Sequence, residues 1–254
     1  MEIYIGIIPA RYQSSRFPGK PLCDILGEPM IYRVYKSVLN WGKWEKVYIA
    51  TDSEEIGSKC KELKIPVIMT TNAHQDCLDR ASEVVSILED KKEIADRYII
   101  IQGDEPLFDT RTLDVDLSPT IVNFYTEVKD LYDKYDSNAV KVIVSKNQKA
   151  IYFSRYSIPF HDEKTKRSGE EPIIYKQIGV YSFSGEMLKL YNKLRPTHLE
   201  NMEGIGLNRL IENDIDIHMR YTEYDSISVD TIEDRDRIIK ILEKNNKKNI
   251  ERVP

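Results

Sequence analysis

The chain opens with an apolar run, Ile3 to Ile8, that lacks polar alternation and so predicts a strand buried on both faces. A polar loop follows. From Pro29 to Leu39 the apolar residues Met30, Ile31, Val34, Tyr35 and Val38 fall at helical spacing. The alternation then continues, with strands predicted at 47–50, 67–69 and 98–101 and helices at 54–63 and 79–88. Apolar strands separated by amphipathic helices predict an α/β fold, a doubly wound and mostly parallel sheet with helices on both faces. After Glu105 the rhythm breaks, and no full helix is convincing before Asn138. Beyond it, strands are predicted at 139–144, 150–153 and 179–183, forming a smaller added sheet, and helices at 185–194, 200–211 and 231–244.

Composition adds exclusions. With 254 residues, 41% of them hydrophobic, the chain suits one α/β domain over 1–254 with an added lobe at about 139–185. The 37 basic and 42 acidic residues give a net charge of −5 and are interspersed, which argues against nucleic acid as the main partner. Cys23, Cys60 and Cys77 lack CxxC spacing, so neither a disulfide framework nor a cysteine zinc site is expected, and a reducing cytoplasm fits. The first apolar run is too short to span a bilayer, and no membrane insertion is expected. His161, His198 and His218 lack metal-ligand spacing, whereas His74 follows a strand and could line a crevice.

In doubly wound sheets ligands bind beyond the carboxyl ends of the strands, and the unusual residues cluster there. The loop after the first strand carries Arg11, Arg16 and Lys20 with Ser14 and Ser15. Three cations so close together repel one another unless they meet an anion, and a triphosphate supplies one through charge-assisted hydrogen bonds. Gly19 would allow close backbone approach, and the GxxxxGK[ST] loop is absent. Gln102-Gly-Asp-Glu-Pro106 follows an apolar strand and points Asp104 at the same crevice. Ser228-Val-Asp230 places a second acid after another β-rich stretch. Taken singly, each acid reads as an N-cap or turn residue, and Asp230 has Glu233 three residues on. Beside the basic loop, the two together suit magnesium, which takes one or two carboxylates plus phosphate oxygens and water.

These segments, with Ser15-Arg-Phe-Pro-Gly-Lys-Pro-Leu22, Ala50-Thr-Asp52, His74-Gln75, Asn138-Ala-Val-Lys-Val142, Tyr152-Phe-Ser-Arg155 and Ile178-Gly-Val-Tyr181, occur over nearly the whole chain. In that order they resemble the 3-deoxy-manno-octulosonate (KDO) cytidylyltransferases, within the wider acylneuraminate cytidylyltransferase group. The resemblance implies a Rossmann-like nucleotidyltransferase that couples CTP to an acidic sugar, giving CMP-sugar and pyrophosphate, with Mg2+ as cofactor. It implies catalytic roles for Arg11, Lys20 and Gln102, and nucleotide contacts from Pro9, Ala10, Arg11, Ser14, Lys20 and Arg80. Asp104 and Asp230 would hold the metal, and Arg155, Gln177 and Tyr181 would face the sugar. A homodimer built through the added lobe, serving lipopolysaccharide or capsule synthesis, is also implied.

Three stretches depart from the resembled pattern. Cys77-Leu-Asp-Arg80 stands where Gly-Thr-Glu-Arg is expected, Gln177 where a histidine is, and Gly206-Leu207 where a Glu-Gln pair is. Removing polar partners from a sugar pocket alters acceptor choice strongly. The expectation is therefore that KDO is a poor acceptor beside a bulkier or amino-substituted acid, with Gly206 leaving empty volume unless neighbours such as Asn208 take over. The competing readings are a synthetase for a modified octulosonate or a nine-carbon ulosonic acid, and a non-catalytic nucleotide-binding regulator.

Overall fold

The computed structural model describes residues 2–13, 16–74, 76–160 and 173–250. The first strand, β1 (Tyr4–Ala10), lies inside the sheet, because Ile5 and Ile7 face one core and Ile8 the other. A short hairpin, β2 (Asp24–Ile25) and β3 (Glu28–Pro29), forms a separate two-stranded sheet and leads into α1 (Met30–Leu39), whose Met30, Ile31, Val34 and Val38 are buried. Next come β4 (Trp44–Thr51), α2 (Glu54–Glu62), β5 (Val67–Met69), α3 (Cys77–Asp90) and β6 (Arg97–Ile101). The Ser53 hydroxyl caps α2, with Glu54 and Glu55 in its first turn and Lys59 and Lys61 in its last, as the helix dipole favours.

The second half adds β7 (Ile121–Glu127), α4 (Leu131–Tyr135), β8 (Lys141–Val144), β9 (Ala150–Ser154), β10 (Tyr175–Phe183), α5 (Gly185–Lys193), α6 (His198–Glu203), α7 (Leu207–Ile211), β11 (His218–Tyr221) and α8 (Ile232–Ile250). The main sheet runs in the order β11-β7-β10-β6-β1-β4-β5. Its pairs are parallel except those of β10, which is antiparallel to both neighbours. The core divides by strand parity. Tyr98 and Ile100 join α3 and α5 on one face, and Ile99 and Ile101 join α1 and α2 on the other. The two-faced sheet expected from the apolar runs is present.

The differences from expectation lie after Glu105. β7 is a fully embedded strand that the sequence pattern hid, because Asn123 interrupts its apolar run. The Asn123 side-chain NH2 donates to the carbonyls of Ile178 at 3.2 Å and Val180 at 2.7 Å, where β10 slips register, so its buried donors are satisfied. β11, at the sheet edge, also went unread. The added lobe is a branch of the main sheet, with β8 pairing to β10 at Lys141 and Lys176, and β9 pairing to β8. The helix expected over 200–211 is two, because Gly204 takes a left-handed conformation, φ 62°, and ends α6.

Candidate active site

The strand ends converge on a cavity of about 580 Å3. At the end of β1, Pro9, Ala10 and Arg11 line it. The basic loop is closed by a hydrogen bond from the Gly19 amide to the Tyr12 carbonyl, 2.9 Å, made with Gly19 at φ 70°. That return brings Lys20, at the start of a short 3-10 turn, back over the sheet. At the end of β6, Gly103 passes so close to β1 that a Cβ would lie 2.6 Å from the Pro9 carbonyl oxygen. Only glycine lets Asp104 follow there. The segment before α8 is tied to the same place, the Val229 amide donating to the Asp104 carbonyl at 2.9 Å.

Lys20 Nζ donates to Asp104 Oδ2 at 2.8 Å and Asp230 Oδ1 at 3.2 Å, and the Arg16 guanidinium reaches Asp230 at 3.2 Å. Burial works against the Lys20 ammonium, but the two carboxylates outweigh it and hold its pKa above the ordinary value. Asp230 does not cap α8. Thr231 and Asp234 do so, Asp234 Oδ2 accepting from the amides of Asp230 and Thr231 while the Thr231 hydroxyl accepts from the Asp234 amide, so the Asp230 carboxylate is free for the cavity. Several buried polar atoms of the cavity residues lack hydrogen-bond partners, among them Asp104 Oδ1 and one terminal nitrogen of Arg11. Such orphans are costly unless a ligand completes them.

The residues fit a magnesium ion. Two carboxylates converge on one cation position, held here by Lys20 Nζ, and Asp104 has a spare buried oxygen. Magnesium takes one or two protein carboxylates with phosphate oxygens and water, a donor set that these two acids would offer beside a triphosphate.

On the opposite wall, Tyr181 Oη accepts from the side-chain amides of both Gln102 and Gln177, 2.9 Å each, and keeps its own proton to donate. Arg155 also lines the cavity, fixed by the carbonyls of Ser137, Glu203 and Gly204. The site therefore brings together Pro9, Ala10, Arg11, Lys20, Gln102, Asp104, Arg155, Gln177, Tyr181 and Asp230. Ser14 and His161 lie outside the described residues. Arg80 does not line the cavity. It is buried, 3.3 Å from Asp52 and bonded to Thr70, because α3 turns it under the sheet edge. His74 is likewise drawn aside, by Glu83 and Thr71. The empty volume expected at Gly206 is filled by Asp76 and Tyr191, and Asn208 is fully engaged with the Phe153 backbone.

Two acids escaped the sequence reading. Asp76 was concealed as a residue merely preceding a helix. Glu105 was visible inside the Gln-Gly-Asp-Glu-Pro stretch but without a role. Glu105 is buried and accepts from the Gly179 amide at 3.0 Å, an approach that a side chain at 179 would block. Burial raises its pKa to about 7, with the Asp104 charge adding to the rise.

The sequence profile of the cytidylyltransferase family matches residues 5–217. The chain belongs to that family. Among its relatives, this cytidylyltransferase is 39% identical to the 3-deoxy-manno-octulosonate cytidylyltransferase of Nitratidesulfovibrio vulgaris, over 95% of this chain and 96% of that one. It is 32% identical to the enzyme of the same name from Geobacter metallireducens, over 93% and 96%. A solved structure of CMP:2-keto-3-deoxy-manno-octonic acid synthetase complexed with CTP superposes with a TM-score of 0.84 at 30% identity, covering 96% of this chain and 99% of that chain. HddC from Yersinia pseudotuberculosis, at 14% identity and a TM-score of 0.67, over 94% of this chain and 100% of that one, shares the fold. The cytidylyltransferase is thus a nucleotidyltransferase with the strand-end cavity as its candidate site.

Proposed function

We propose that this cytidylyltransferase joins CMP from CTP to 3-deoxy-manno-octulosonate, releasing pyrophosphate. The observation that carries this is the convergence of Asp104 and Asp230 on Lys20, beside an Arg11 guanidinium with one terminal nitrogen buried and unpartnered. The Arg11 guanidinium and the Lys20 ammonium bind the triphosphate, and Pro9 and Ala10 border the base. Magnesium, held by Asp104 and Asp230, would supply charge stabilisation on the phosphate oxygens. Arg155 is positioned to pair with the acceptor carboxylate, while Tyr181, oriented by Gln102 and Gln177, donates to a sugar oxygen. The chain's task is to hold two anions together with the anomeric hydroxyl in line with the α-phosphate; that orientation, with the fixed cations, accounts for the rate.

A modified octulosonate is the second reading, favoured by the apolar wall of Cys77, Leu78 and Leu207. Association as a homodimer through the β8–β9 branch is supported by the exposed Ile151, Tyr156, Phe160 and Ile173. No helix among the described residues is long and apolar enough to cross a membrane.

Pyrophosphate release from CTP and Mg2+ across a panel of KDO, an amino-substituted KDO and a nine-carbon ulosonic acid tests the reading. Release with KDO and recovery of CMP-KDO are expected. Nucleotide binding without release on any acceptor would mark a regulator.

A further inference from the structure

Asp76 stands at the start of α3 and lines the cavity. Its Oδ1 caps the helix, accepting from the amides of Leu78 and Asp79 at 2.8 Å each, and its Oδ2 accepts from the Tyr191 hydroxyl. The turn between α6 and α7 closes over this pair. A Cβ at Gly206 would fall inside the Asp76 carboxylate and against the Tyr191 hydroxyl, so the carboxylate fills the space a side chain at 206 would need.

The charge behind Asp76 is unbalanced. Arg209 is buried, and its guanidinium is already shared by Glu200, 2.8 Å from Nε, and Asp79, 3.0 Å from a terminal nitrogen. One guanidinium thus pairs with Asp79 and Glu200, and Asp76 adds a third carboxylate beside them. No lysine or arginine among the described residues pairs with Asp76, and burial, with Asp79 adding to it, raises its pKa. Phosphates are repelled by such a wall and drawn to Arg11 and Lys20, which leaves it to the acceptor.

We propose that Asp76 is a specificity-determining residue on the acceptor side, its carboxylate receiving an ammonium group on the carbon chain of the sugar acid in preference to a hydroxyl. The proposal rests on the reading of the cavity as a CTP and sugar-acid site. An ammonium both donates to the carboxylate and offsets the excess charge, whereas a hydroxyl does only the first.

The test is steady-state kinetics of wild type and Asp76→Asn with CTP, on KDO and on an amino-substituted KDO. Asparagine caps helices as well as aspartate does, so the fold should survive, and Asp76→Ser, another good cap, provides a second variant. With the amino-substituted acceptor, the variants should lose about tenfold or more in kcat/KM, mainly through acceptor KM, as expected for one charge-assisted hydrogen bond. The loss on KDO should be smaller, and the KM for CTP unchanged. Equal losses on both acceptors, no loss, or a matching rise in KM for CTP would overturn the proposal. Failure of the wild type to release pyrophosphate with either acceptor would instead refute the functional reading beneath it.

Discussion

Replacing Lys20 by methionine keeps the apolar stem and deletes the charge that separates Asp104 from Asp230. The two carboxylate oxygens are 2.8 and 3.2 Å from the same Nζ, so they are no farther apart than the sum, about 6 Å. The three side chains are only 12–21% exposed, which places them nearer an effective dielectric of about 20 than that of water. Two like charges at that separation then repel by about 3 kcal/mol. Rotation of the acids and release of the buried ammonium offset part of this, leaving an expected loss of about 1–3 kcal/mol. For a chain of this size that is a fall of roughly 3–8 °C in Tm. The discriminating arm is magnesium without nucleotide. Thermal unfolding of Lys20→Met should recover most of its loss in millimolar Mg2+, because a divalent cation satisfies the acids that lysine left. Wild type should shift little, since its own ammonium competes for the position. The variant should also show a raised KM for CTP. A loss of stability that Mg2+ leaves untouched, together with a normal KM for CTP, would refute both the cation site and the phosphate role.

Asp104→Asn and Asp230→Asn should each lower turnover by ~10²-fold or more at limiting Mg2+, the scale expected for losing preorganised charge stabilisation; near-normal rates for either variant would remove that residue from the site. Glu105, raised from an ordinary 4.5 to about 7, binds a proton in the folded state that the unfolded chain has released across that interval. Its contribution is therefore fully present below pH 4.5 and falls as pH rises through 7, by roughly 2–4 kcal/mol in all. In a denaturation series over that range, Glu105→Gln should flatten this component. Arg209→Ala should cost about 3–5 kcal/mol in urea unfolding, since it strands Asp79 and Glu200 as buried, unpaired charges.

The parallel half of the sheet was legible in the sequence because it obeys one local rule. Strands buried on both faces must be apolar throughout, and helices packed on one side must be apolar at their own period. Arg11 and Asp104 were legible for a related reason: charged residues close after such strands are carried to the crevice, and Lys20 and Asp230 were legible as the cation and acid that complete the same cluster. The distant relatives of the fold confirm the architecture, and the closer ones confirm the cytidylyl chemistry.

Other features depended on partners remote in sequence. β7 reads poorly because the acceptors for the Asn123 side-chain NH2 come from the slipped register of β10, more than fifty residues on. Arg80 was expected among the nucleotide contacts from the resemblance, and only the packing of α3 turned it toward Asp52. Asp76 and Gly206 have little meaning alone. Their relation, a carboxylate in the place of a missing side chain, exists only once α3 and the α6–α7 turn are brought together. Local pattern determined the strands and helices of the parallel half and the placing of the basic loop and Asp104 at its strand ends. Tertiary contact decided which charges are left unpaired at the cavity wall, because compensation of buried charge depends on distances that the sequence does not contain.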